Sequence, residues 1–172
     1  LLSHELLPRK GYDMIRVSTR GRYALRAMVD LVLHAGEGPA ARQDIAARQD
    51  ISADYVAQLF RLLREAGLVE GVKGPGGGYR LAQNPATITA GDVLRVVEGP
   101  VAVVRCVLPD DEPSCNRLDR CVTYPLWRRL SAVMSDFLDS VTLQDLCDEA
   151  LLLELSAVPA IGRGVGGEAS CT

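Results

Sequence analysis

Aromatic residues and histidine are scarce in this 172-residue chain: five Tyr, two Phe, one Trp and two His. So few rings allow a core of modest size, enough for one domain or a small domain with an extension. The two histidines, His4 and His34, are far apart in sequence, and no nucleophile–base pair is visible. General acid–base catalysis therefore has no candidate residues, and the chain reads as a non-enzyme. No apolar run reaches the length of a membrane span, so no membrane role is expected. The opening stretch LLSHELLPRKGYD lacks the apolar run and small-residue cleavage site of a secretory leader. A cytoplasmic location follows as the expectation. Structural patterning begins at Met14, and residues 1–13 are read as an N-terminal extension, expected to be disordered. The five cysteines include no CxxC pair, which argues against zinc knuckles and dithiol redox motifs. Their odd number argues against a secreted disulfide scaffold.

Charge is present in both signs but unevenly placed. Residues 14–80 carry ten Lys and Arg against seven Asp and Glu, a net of +3. Residues 81–172 carry seven against thirteen, a net of −6. Anion binding, if any, belongs to the first half.

That half is patterned as helices. VSTRGRYALRAMVDLVLHAGEG has Tyr23, Ala24, Ala27, Met28, Leu31 and Val32 at helical spacing, with Ser18 or Thr19 as cap and Gly36 as stop. Arg16, Arg20, Arg22 and Arg26 place positive charge on its opening turns; a solvated face is the plain alternative. A short helix over 42–48, anchored by Ile45 and Ala46, leads through a turn at 49–51 to a longer helix capped by Ser52. Val56, Leu59, Phe60, Leu62 and Leu63 are expected inside and Ala53, Asp54, Tyr55, Ala57, Gln58 and Arg61 outside. Gly67 is the expected left-handed residue after its end. This is the helix-turn-helix pattern, although an ordinary helical hairpin has the same periodicity. Tyr, Gln and Arg near a helix N-terminus can reach base edges or phosphates.

VKGPGGGYRL, at 72–81, carries one proline and four glycines within five residues. A nucleotide P-loop needs its Lys after the glycines, whereas Lys73 precedes them. Strand-like runs on both sides make the stretch a β-hairpin, and a helix-turn-helix followed by a hairpin is a winged helix. Lys73, Gly74, Gly76 and Gly77 then form a wing tip able to approach DNA phosphates. A further helix is expected over TITAGDVLRVVEGP, capped by Thr89 and stopped by Gly99. PLWRRLSAVMSDFLDSV forms a long helix whose stripe of Leu126, Leu130, Val133, Phe137 and Val141, widened by Trp127, Met134 and Leu138, calls for a partner helix. Thr142 and Asp145 resemble a capping box for the last helix. From Pro159 onward, disorder is expected.

Between TITAGDVLRVVEGP and PLWRRLSAVMSDFLDSV lie residues 104–124, without periodicity and holding Cys106, Cys115 and Cys121 at C-x8-C-x5-C spacing. Three thiolates in a loop can wrap a sulfur-bridged iron cluster, which tolerates wide spacing; unrelated free thiols are the alternative. Cys147 reads as a core residue and Cys171 as an incidental tail thiol.

The combination RGRYALRAM, ISADYVAQLFRLLREAGLVEGVKGPGGGYRLA, three loop cysteines and CVTYPLWRRLSAVMSDFLDSVTLQDL closely resembles the Rrf family of bacterial winged-helix transcription regulators, nearest its iron–sulfur branch. The resemblance spans roughly residues 14–150. It implies a mainly α fold with a β-hairpin wing and a long C-terminal dimerisation helix: a DNA-binding domain at 14–99, a cluster loop at 100–124, dimerisation helices at 125–157 and a disordered tail at 158–172. It implies a homodimer on palindromic or pseudo-palindromic double-stranded DNA, its promoter affinity set by an iron–sulfur cluster, 2Fe-2S or 4Fe-4S, held by Cys106, Cys115 and Cys121. Ser52, Tyr55 and Gln58 would meet the major groove and Lys73 the minor groove; Arg16, Ser18 and Arg20 would lie near phosphates. The first cysteine gap is longer than in that branch. Tyr124 stands where relatives place a histidine ligand, and Arg22 where others use an aspartate. The fourth ligand is thus open among Asp110, Asp111, Glu112, Asp119, Tyr124 and a small molecule. The alternative function is a cluster-free regulator of the same family, controlled by a protein partner, a small molecule or a thiol switch.

Overall fold

The computed structural model describes residues 17–34, 36, 38–108 and 115–157, with side chains described up to 153. Arg16, Asp110, Asp111, Glu112, Cys171 and the expected disorder at both ends lie outside these residues. Among the described residues the order is α1 (Thr19–Leu33), α2 (Arg42–Gln49), α3 (Ala53–Glu65), β1 (Val69–Val72), β2 (Gly78–Leu81), α4 (Ala90–Glu98), α5 (Tyr124–Ser140) and α6 (Leu143–Ala157). The fold is mainly helical with one small hairpin, as expected.

Local chemistry sets most boundaries. Ser18 caps α1 by accepting from the Gly21 N–H, and Ser52 caps α3 by accepting from the Tyr55 N–H at 3.1 Å. Thr89 and Asp92 form a complete capping box at α4. At α6 the Thr142 N–H donates to Asp145 and the Asp145 N–H to Thr142 Oγ1, so Asp serves as well as Glu there. After α3, Gly67 takes a left-handed φ of 72°. The Leu68 N–H donates to the Leu63 carbonyl and the Gly67 N–H to that of Arg64, closing a Schellman motif. The expected stop of α1 at Gly36 is corrected: the helix ends at Leu33. The His34 N–H turns back on the carbonyls of Asp30 and Val32, and the ring Nδ1 lies 2.8 Å from the Asp30 carbonyl oxygen.

The core draws on α1, α2, α3, β1, α4 and α6. Ala24, Ala27, Met28, Ile45, Val56, Phe60, Leu63, Val69, Ile88, Val93, Val97 and Leu143 are buried together. Leu62 is a correction, half-buried at the edge of this cluster. β1 and β2 pair antiparallel from Val69↔Leu81 to Val72↔Gly78. Ala40, just before α2, exchanges two backbone hydrogen bonds of 2.9 Å with Tyr79, which extends the hairpin and fixes it to the helical unit. The Phe60 and Tyr79 rings meet at 4.5 Å behind this junction. α6 closes on α1, with Cys147 buried and its Sγ 3.8 Å from the Val29 carbonyl oxygen.

α5 is built differently. Of its side chains only Ser131 is buried, while Leu126, Val133 and Phe137 of the expected stripe face outward. The segment before it has more local order than a bare loop: single 3₁₀ turns form at Arg105–Val107 and Leu118–Arg120.

Candidate nucleic-acid interface and cysteine segment

α3 follows α2 across the turn at Asp50, whose φ of 54° lies in the left-handed region that Asp tolerates better than most residues. The turn is fastened to α1 by a polar cluster that periodicity does not show. Asp30, only 3% exposed, accepts from Arg48 Nε and Nη2 at 2.8 Å each and from Gln49 Nε2 at 3.0 Å. Gln49 in turn accepts at Oε1 and at its backbone oxygen from Arg26. The Arg26 guanidinium also sits 5.3 Å from the centre of the Tyr23 ring. A bidentate Arg–carboxylate bond is the strong, geometry-specific kind, so it anchors the end of α2, where the turn into α3 begins, to α1. The sole sequence sign was an acidic residue at 3.6-periodic spacing among the apolar positions of α1.

The predicted recognition residues divide. Gln58 and Arg61 are exposed on α3, and Arg61 reaches only Glu65, at 3.4 Å. The Ser52 hydroxyl serves as the helix cap. Tyr55, expected outward, is half-buried; its ring meets Tyr23 edge-on at 6.0 Å, because an aromatic side chain gains more by covering the core than by standing in water. Arg20 is exposed on the first turn of α1. Ser18 caps α1 as expected, and it is held further: its hydroxyl donates to Glu98 Oε1 at 2.7 Å, and its N–H donates to the same oxygen at 3.1 Å. At the wing tip Lys73 is exposed. Gly74 and Gly76 have φ of 101° and 73°, and a Cβ on Gly77 would strike the Val72 carbonyl oxygen. The turn itself therefore requires all three glycines. Arg80 and Glu70 pair across the hairpin at 2.7 Å.

Cys106, Cys115 and Cys121 are free, half-buried thiols. Cys121 Sγ lies 3.3 Å from Thr123 Oγ1. Hydrogen bonds from the Thr123 hydroxyl and backbone N–H, then the Tyr124 N–H and the charge of Arg117, hold its pKa below the ordinary thiol value against the opposing effect of burial. Cys121 shares an open pocket with Arg117, Arg120 and Val122, whereas Cys115 opens beside Asn116, Leu118 and Asp119. Among the described residues no three His, Cys, Asp or Glu side chains gather into a metal site. The donor set nevertheless fits an iron–sulfur cluster in kind: three thiols free of disulfides, the ligand type that such clusters use. Of the remaining ligand candidates, Tyr124 is half-buried at the start of α5, and exposed Asp119 lies 3.7 Å from Arg120. Cys147 is the opposite case, its thiol pushed up by burial and then by Asp148.

Residues 17–149 match the family model Rrf2, described as an iron-dependent transcriptional regulator. The chain belongs to the Rrf2 family. Among its relatives, the HTH-type transcriptional regulator IscR of Pectobacterium atrosepticum is 44% identical over 142 residues, covering 83% of this chain and 85% of that protein. The solved structure of T. potens IscR is 39% identical with a TM-score of 0.65, covering 86% of this chain and 94% of the other. CymR, the global cysteine regulator of B. subtilis, is 43% identical with a TM-score of 0.64, covering 79% and 98%. The winged-helix architecture and the activity of a DNA-binding transcriptional regulator follow from this membership.

Proposed function

We propose that this Rrf2-family chain acts as a cytoplasmic homodimer on palindromic or pseudo-palindromic promoter DNA, with its affinity set by an iron–sulfur cluster. The observation that carries the reading is the joining of two features in one chain. An exposed recognition-helix edge and wing tip present Gln58, Arg61 and Lys73, and three free thiols lie between α4 and the uncovered helix α5. Gln58 reads bases in the major groove, with Ser52 and Tyr55 beside it. Arg61, Arg20, Arg16 and the wing residues Lys73, Gly74, Gly76 and Gly77 meet the backbone and minor groove. Leu126, Val133 and Phe137 pack on the second copy. Cys106, Cys115 and Cys121 hold the cluster, which supplies a redox- and iron-responsive group; Asp119 or Tyr124 is available as a fourth ligand.

Anaerobic purification with iron and sulfide analysis, followed by footprinting with and without the cluster, tests the reading. Expected are a coloured protein, both elements bound, and a protected site that changes on cluster loss. A colourless, iron-free anaerobic preparation would remove the cluster and leave DNA binding standing. The second reading, a thiol switch, draws on the acidified Cys121 beside Arg117 and on the likeness to the cysteine regulator CymR. It predicts featureless spectra and promoter affinity that follows thiol oxidation.

A further inference from the structure

We infer that Glu98 is the positioning residue through which the cysteine segment governs the basic first turn of α1, and hence DNA affinity. The inference rests on reading residues 104–124 as the sensing segment. Glu98 is the last residue of α4, and the chain then turns at Gly99, with φ of 93°, and runs toward Cys106. Its Oε1 accepts both the N–H and the hydroxyl of Ser18, eighty residues away in sequence. The fit extends one turn along α1: a Cβ on Gly21 would strike the Glu98 carboxylate and come within 2.8 Å of Leu94 Cδ2. An α-helix gains from alanine over glycine, so Gly at a buried helical position marks a close approach that the fold needs. Glu98 itself is exposed, so its two bonds are not forced by core packing.

The other side of α4 is held by the sensing half. Arg95 spans to Asp139 on α5 at 2.6 and 3.1 Å. The Val103 N–H donates to the buried Ser131 Oγ at 3.2 Å, and the turn Arg105–Val107 packs on α5. A displacement of the segment near Cys106 thus pulls on α5 and on the end of α4 together. Glu98 passes that displacement to Ser18, from which Arg20 and Arg22 project into solvent. Coupling of this kind requires an element that both sites bias, and α4 meets that requirement.

The test is a mutant cycle on full-length, anaerobically prepared protein, read as DNA affinity, with melting curves and iron and sulfide content for each variant. Cys106→Ala should shift the affinity of otherwise wild-type protein by about tenfold, within the usual range for coupled sites. In the Glu98→Ala background the shift should shrink to about twofold or less, and Glu98→Gln, whose amide oxygen still accepts from Ser18, should keep it. If Glu98→Ala does not fold, Ser18→Gly removes the hydroxyl at a cost of only a few tenths of a kcal/mol to the cap, and should shrink the shift in part, because the backbone N–H at that position still donates to Glu98. A merely structural Glu98 would weaken both members of each pair equally, and a shift of full size in Glu98→Ala would overturn the inference. With iron present, that outcome leaves the cluster reading intact. A shift abolished by Glu98→Ala in iron-free protein would support the tie and overturn the cluster. No shift in the wild-type background would overturn both.

Discussion

The two phenylalanines of the chain stand in opposite environments. Phe60 on α3 is fully buried against Tyr79 and the winged-helix core, whereas Phe137 on α5 is 65% exposed beside Val133 and Leu126. One region closes its apolar surface on itself; the other leaves a helical stripe without cover. The difference separates the residues that fold the chain from those that the proposed homodimer would use. Phe60→Ala should therefore have the largest effect, about 3–5 kcal/mol in chemical denaturation. Phe137→Ala should stay within about 0.5 kcal/mol of wild type at dilutions where the chain is monomeric, yet shift the concentration dependence of assembly in sedimentation. Equal costs for both substitutions in the monomer would erase the distinction.

The next effect belongs to the buried cluster that anchors the end of α2 to α1. Replacing Asp30 by Ala takes the carboxylate from Arg48 and Gln49 and leaves the backbone carbonyl that holds His34 in place. Breaking a fully buried pair costs about 3–5 kcal/mol; with the Arg48 side chain 31% exposed, about 2 kcal/mol is expected. DNA affinity should fall more than stability alone explains, because the turn that leads into α3 loses its anchor on α1. An affinity unchanged in folded Asp30→Ala would assign the cluster to stability only.

Asp30 also marks where sequence reading stops. Caps at Ser18, Ser52, Thr89 and Thr142, the left-handed Gly67 and the hairpin around Lys73 were legible because each depends on residues within a few positions. The exposed stripe of α5 was legible because helical period is local too. The bridge from Ala40 to Tyr79, the half-burial of Tyr55 against Tyr23 and the Ser18–Glu98 joint were not, since each joins residues 32 to 80 apart. The site was legible in part for the same reason. Gln58 and Arg61 are exposed where helical period put them and Lys73 where the hairpin put it, while the Ser18 hydroxyl is held by a partner that no spacing indicates. The cysteines were visible as a group, but the geometry that would unite them is tertiary.

A smaller effect separates wing from helix. Lys73→Ala should weaken DNA binding and lower the salt slope by roughly one unit, the mark of one lost phosphate contact. Gln58→Ala should leave the slope alone and cost about 1–3 kcal/mol of base discrimination. An unchanged slope for Lys73→Ala would take the wing out of the interface and leave recognition to α3 alone.

The smallest effect lies at the seam between the two regions. The hydrogen bond from Arg95 leads in holding the Asp139 pKa below its ordinary 3.8, with burial opposing and the charge of Arg95 and the Ser135 hydroxyl adding. Burial pushes the Asp92 pKa up, but its bonds with Thr89 and Arg95 outweigh it and leave that group lowered as well. A carboxylate depressed in the folded state stabilises the protein above its unfolded pKa, because near that pH the unfolded chain binds more protons. The contribution is lost as pH falls through the folded value, below about pH 4. Both partners of the Arg95–Asp139 pair are more than a third exposed, so screening keeps the contribution under about 1 kcal/mol. Asp139→Asn should therefore lower stability slightly at pH 7 and converge on wild type in denaturation titrations as the pH falls below the lowered pKa of Asp139. Because the pair ties α4 to α5 rather than filling a core, the same variant should also loosen the response of DNA affinity to Cys106→Ala. A stability difference that persists unchanged into acid would show that Asp139 acts by packing and not by charge.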